Sequence, residues 1–174
     1  MTETLTSRYE IRPASPLIGA EIEGVDLTQP VPEATAEALR DAFWTYKVLV
    51  FRKQNLPPLQ HVEAMRIFDE AFDHPLWVNR HPDSRLEQPT VRTHRHTGRK
   101  GLLISSSALR LTGVTDAESK ALLPFLLAHA SSPNYTVSFG WKPGDFVLWD
   151  NLATWHYAVN DYNGPRAYRK VIAG

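Results

Sequence analysis

The stretch Trp149-Asp-Asn-Leu-Ala-Thr-Trp-His156-Tyr-Ala-Val-Asn-Asp-Tyr162 holds the densest chemistry in the chain. It sets an imidazole just after a polar turn, and Arg166 follows ten residues later. A neutral imidazole at the mouth of a small barrel can ligate a metal, and a guanidinium can clamp a carboxylate with two parallel bonds. Histidine also serves in ordinary polar cores, and arginine in surface ion pairs, so spacing alone leaves both readings open.

Further imidazoles, at His61, His74, His81, His94 and His96, sit in or beside residues 73–100. That stretch shows no period beyond Thr90-Val-Arg-Thr93, and structureless spans of this length are uncommon in compact domains. His81-Pro82-Asp83 is the one His-x-Asp in the chain. On a strand its i, i+2 spacing would point both side chains to one face, as metal ligation needs. Pro82 cannot donate to a central ladder, which favours a loop. His94 and His96 read as exposed residues of a surface hairpin.

The elements that must hold these residues are partly visible. Residues 9–30 alternate in short apolar runs broken by Gly19, Gly24 and Pro30, which predicts small strands and turns. Residues 32–47 place Leu39, Ala42, Phe43 and Tyr46 on one helical stripe, with Pro32 at the start. Val48-Leu-Val-Phe51 predicts a buried strand. Residues 59–72 predict a second helix with Leu59, Val62, Met65 and Phe68 inward. Thr115-Asp-Ala-Glu118 is a capping box opening a third helix to about His129, in which Pro124 predicts a kink or early break. Strands are predicted at 135–139, 146–149, 156–159 and 166–172, giving a strand-rich C-terminal half of the antiparallel barrel or jelly-roll kind.

Composition narrows the chemistry. With no Cys among 174 residues, a thiolate nucleophile and cysteine-ligated metals are excluded, so any metal needs His, Asp and Glu. Nineteen basic residues balance nineteen acidic ones, which argues against a phosphate-backbone partner, the basic 92–100 stretch included. No apolar run approaches the roughly 18 residues of a membrane span, and the N-terminus has no signal-like apolar core. A cytoplasmic protein is the expectation.

The C-terminal stretch resembles the signature of the taurine dioxygenase (TauD/TfdA) family of Fe(II)/2-oxoglutarate-dependent oxygenases. The matching residues are Trp141-Lys-Pro-Gly-Asp145, Trp149-Asp150-Asn151, Thr154, His156-Tyr157-Ala158, Asp161-Tyr162 and Arg166. Residues 17–28, Val48-Leu-Val-Phe-Arg52, Thr90-Val-Arg-Thr-His with Thr97-Gly98-Arg-Lys100, and 115–129 match as well, so the likeness covers 8–75 and 88–174. It implies an α+β double-stranded β-helix, or jelly roll, with flanking helices, in one domain over 1–174. It makes His156 the distal histidine of a two-histidine, one-carboxylate iron triad and Arg166 the partner of the far carboxylate of 2-oxoglutarate. It makes Arg169 and Lys170 alternatives for a second basic residue that meets a substrate anion. His74 and Trp77, in Phe72-Asp-His-Pro-Leu-Trp77, resemble substrate contacts. The implied cofactors are Fe(II), with 2-oxoglutarate and O2 as co-substrates. The implied reaction is hydroxylation of a small sulfonate, sulfate ester or carboxylate, releasing succinate and CO2. Relatives often form homo-oligomers.

The family's Trp-His-x-Asp, which carries the proximal ligands, is missing, and the jelly roll is incomplete by a deletion between about 75 and 88. His81 and Asp83 are the local substitute. The shortfall has three readings: joined pieces of a longer chain, a truncation, or a member without the metal site. A barrel lacking central strands would expose unpaired edges, which favours the first. The alternative function is a non-catalytic jelly-roll binding or interaction domain.

Overall fold

A computed structural model describes residues 9–68, 87–165 and 167–170. Four strands form a mixed sheet in the order β1-β2-β3-β6: β1 (Glu10–Pro13), β2 (Ala20–Glu23), β3 (Val48–Phe51) and β6 (Phe146–Trp149). β1 runs antiparallel to β2, β2 parallel to β3, and β3 antiparallel to β6. The parallel step needs a crossover. α1 (Glu33–Tyr46) supplies it, starting directly after Pro32 as expected and ending at Lys47, which adopts a left-handed conformation at φ 64°.

Register explains the two faces of the sheet. Ala20, Leu49 and Leu148 align across three strands, as do Ile22, Phe51 and Phe146, and all six are buried. Because side chains alternate along a strand, these rows share one face. The apolar stripe of α1 (Leu39, Ala42 and Phe43) packs there, with Tyr46 partly buried. Phe43 meets Phe68 edge-on at 5.6 Å, and Phe51 meets Phe146 at 5.7 Å, both favourable aromatic geometries. The opposite face presents Val48, Val147 and Trp149, which floor an open cleft.

The second helix, α2 (Pro58–Arg66), buries Ala64 and Met65, and Phe68 follows it into the core. Leu59 and Val62 are exposed, contrary to the expected inward row. The reason is angular drift. From Leu59 to Phe68 is about two and a half helical turns, so the two ends of that row face opposite ways. The assigned helix stops short of the expected 72, and residues 69–72 lie outside the described residues.

The hairpin strands β4 (Val91–Thr93) and β5 (Lys100–Leu102) pair antiparallel as a separate small sheet. α3 (Asp116–Ala130) opens with the expected capping box, Thr115 and Glu118 each bonding the other's backbone N–H. It runs through Pro124 rather than breaking there. Pro124 and Lys120, whose carbonyl loses its helical donor, are both exposed, so water can satisfy the freed group.

The expected strands at 135–139 and 156–159 do not form: Tyr135 closes a short 3-10 turn, and 136–139 and 156–159 carry no ladder. Of the expected 166–172 strand, 167–170 are irregular, while Arg166 and 171–172 lie outside the described residues. Alternation marks which side of a chain prefers burial, but a strand also needs a partner edge. Phe139 instead packs over Gly19, where a Cβ would come within 2.9 Å of its ring. Among the described residues no helix is long and apolar enough to cross a membrane.

Candidate functional site

β6 ends at Trp149, and Asp150 turns the chain. Asp150 donates its N–H to the carbonyl of Lys47 at the end of α1, at 2.9 Å. Its Oδ1 accepts the N–H groups of Leu152 and Ala153, and its carbonyl accepts both the N–H and the hydroxyl of Thr154. An aspartate that closes its own turn in this way presets the backbone two and three residues on. His156 emerges from this turn. Its ring lies 4.8 Å from the Trp149 ring, which is itself held by an Nε1–H bond to Asn151 Oδ1.

Lys170 sits with its ammonium 5.4 Å over the Trp149 ring, a cation–π distance. Partial desolvation, and secondarily the Lys170 charge, hold the His156 imidazole below its ordinary pKa. The neutral form, the one able to ligate a metal, is thereby favoured. On α2, partial desolvation, and secondarily the Arg169 charge, hold the His61 imidazole below its ordinary pKa, and its ring meets the core residue Phe146 edge-on at 5.1 Å.

The cleft that holds His156, Trp149 and Lys170 has a volume of about 2990 Å³. Ordinary ligand pockets hold roughly 300–1,000 Å³, so the described residues leave a space wider than one small molecule fills. The β4–β5 hairpin forms one wall.

In that wall the structure corrects the reading of His94 as exposed, while His96 is exposed as expected. His94 bonds Asp150 Oδ2 through Nε2 at 2.9 Å, with both side chains largely buried (14% and 9% exposed). The His96 ring stacks on Trp44 of α1 at 4.0 Å, nearly parallel. Nothing in the spacing could have signalled the His94–Asp150 pair, because its members stand 56 positions apart and meet only when the hairpin docks.

A second junction joins two motif segments. Arg52, just after β3, donates to Asp145 Oδ2 at 2.6 Å and to the carbonyl of Gly140 at 2.9 Å, and also pairs with Glu21. Asp145 Oδ2 accepts the Lys142 N–H as well. Gly144, at φ +83°, lets its carbonyl accept the N–H groups of Gln54 and Asn55. The Trp141-Lys-Pro-Gly-Asp145 turn is thus fastened to the residues after β3, aligning β6 and the site that follows it.

His74, Trp77, His81, Asp83 and Arg166 lie outside the described residues. Among the described residues, no group of three His, Cys, Asp or Glu side chains converges as a metal ion would require. His156 is a side chain of the right kind for a metal, and the described residues do not by themselves complete an iron site.

A family model described as taurine catabolism dioxygenase TauD, TfdA family matches residues 10–84 and 75–172. An alkylsulfatase of Acinetobacter baylyi is 43% identical over 124 residues, 70% of this chain and 36% of that protein. An alpha-ketoglutarate-dependent sulfate ester dioxygenase of Pseudomonas putida is 31% identical over 148 residues, 84% of this chain and 46% of that protein. The chain therefore spans less than half the length of these two curated relatives. A taurine dioxygenase of Burkholderia xenovorans, known as a crystal structure, superposes with a TM-score of 0.70 at 26% identity, covering 83% of this chain and 80% of that one. The family to which these relatives belong uses Fe(II), 2-oxoglutarate and O2. With the family model matching most of its length, the chain belongs to the taurine catabolism dioxygenase TauD, TfdA family.

Proposed function

We propose that the protein is a 2-oxoglutarate-dependent dioxygenase that hydroxylates a small organic acid (a sulfonate, sulfate ester or carboxylate) with release of succinate and CO2. The observation that carries this reading is the placing of His156 and Lys170 about one indole, Trp149, on an open cleft. A neutral imidazole there suits iron, and an ammonium beside it suits an anionic substrate. In this reading Lys170, rather than Arg169, meets the substrate anion, because Lys170 lines the cleft over Trp149. Arg166 takes the far carboxylate of 2-oxoglutarate. His81 and Asp83 are the remaining ligand candidates, and His74 and Trp77 the substrate contacts. The architecture is a single jelly-roll domain, shortened between about 75 and 88. The sulfate ester specificity of the Pseudomonas putida relative supports an acidic substrate.

A second reading, a non-catalytic binding domain on the same fold, is favoured by the absence of a Trp-His-x-Asp from the sequence. Anaerobic titration with Fe(II) and then 2-oxoglutarate separates the two. The enzyme reading expects a metal-to-ligand charge-transfer band that His156→Ala abolishes. A folded protein that never shows the band is the binding domain.

A further inference from the structure

We propose that Asp150 is a positioning residue for His156, and that His94 is the hand by which the β4–β5 hairpin holds it. The proposal rests on the reading of His156 as a working site residue, although the geometry behind it is independent of catalysis. A residue that only formed the turn would need one oxygen, and Oδ1 already fills that role with Leu152 and Ala153. Oδ2 is engaged separately, by His94 at 2.9 Å.

The bonding of His94 fixes its tautomer. Its Nδ1 accepts the N–H of Thr97 within the hairpin, at 3.3 Å, so the ring proton sits on Nε2 and is donated to Asp150. The ring is braced edge-on against Trp44 of α1 at 5.4 Å. Asp150 also hangs from Lys47 at the end of α1. The end of α1 thus holds the backbone N–H of Asp150 and the hairpin its carboxylate, so helix, hairpin and strand end converge on one residue, and the turn leading from it aims His156. Locking a working side chain through outer hydrogen bonds is how sites keep their geometry.

Trp149 provides the readout. Its ring lies 4.8 Å from that of His156 and tilted by 58°, so its ring current displaces the His156 imidazole resonances in a way that depends on orientation. The experiment is histidine-labelled NMR of the full chain, with His156 assigned by His156→Gln. His94→Ala should collapse the displacement while far-UV circular dichroism stays native, and His94→Gln, whose amide can still donate to Asp150, should restore it. Asp150→Asn should also lose it: whichever way the amide turns, an N–H meets an N–H. A role confined to the turn predicts unchanged His156 resonances in both His94→Ala and Asp150→Asn, and that result overturns the proposal. If Asp150→Ala fails to fold, those two variants still decide. A wild-type chain without the charge-transfer band, in which His94→Ala nonetheless moves His156, sinks the functional reading and leaves the positioning role standing. The reverse pattern does the opposite.

Discussion

Phe146 and Leu148 are buried against a sheet and a helix, yet residues 155–165, only a few positions later, are exposed throughout. The first region is held by area. Ile22, Leu39, Phe43, Leu49, Phe51 and Phe68 are almost wholly removed from water, and the aligned rows of β2, β3 and β6 make the packing mutual. The second is held by a few directed bonds around Asp150 and by the contacts of Trp149 with His156 and Lys170. The contrast separates scaffold from working surface: non-directional burial supplies stability, while a handful of hydrogen bonds supplies aim.

The largest expected effect falls in the scaffold. Phe43 is fully buried among Trp44, Phe68 and the sheet. Phe43→Ala should cost about 3–5 kcal/mol, the range for deleting a buried aromatic ring, read as a lower midpoint of urea unfolding. A loss below about 1 kcal/mol would mean that this core yields easily, and the contrast between the two regions would weaken.

Arg52 lies between the regions, since it ties the residues after β3 to the turn before β6. The Asp145 side chain is 2% exposed and that of Arg52 20%. Arg52→Ala leaves a buried carboxylate with only backbone donors. The expected loss is about 2–3 kcal/mol, somewhat less than for a fully buried pair because Arg52 keeps some solvent. Arg52→Lys should recover only part of it, since an ammonium cannot reproduce the fork that reaches Asp145, Gly140 and Glu21.

The same contrast explains what could be read from the sequence. The stripe of α1, the buried strand at 48–51 and the Thr115 capping box are encoded within a few neighbouring residues, and each formed where its pattern placed it. Motif likeness brought out His156 and the Trp149-Asp150-Asn151 turn. Residues 136–139 and 156–159 alternate convincingly, but pairing depends on an edge that alternation cannot specify. Leu59 misled because a run at every third position drifts around a helix. The roles of His94 and of the Arg52–Asp145 pair stayed hidden because each depends on a docking between segments far apart in the chain.

The smallest expected effect is the sharpest test of the exposed limb, residues 155–165. The Tyr157 side chain follows His156 directly and is 81% exposed, so replacing it by serine removes almost no buried area. Tyr157→Ser should leave stability within about 0.5 kcal/mol of wild type, as for surface substitutions generally. A loss of about 2 kcal/mol would show that the ring is covered in solution, by a surface the described residues do not provide. Thermal melts at several protein concentrations identify that surface. If the Tyr157→Ser loss grows with concentration, a second copy of the chain covers the limb, because association stabilises by mass action. If the melting point is independent of concentration and the variant matches wild type, no second copy covers Tyr157.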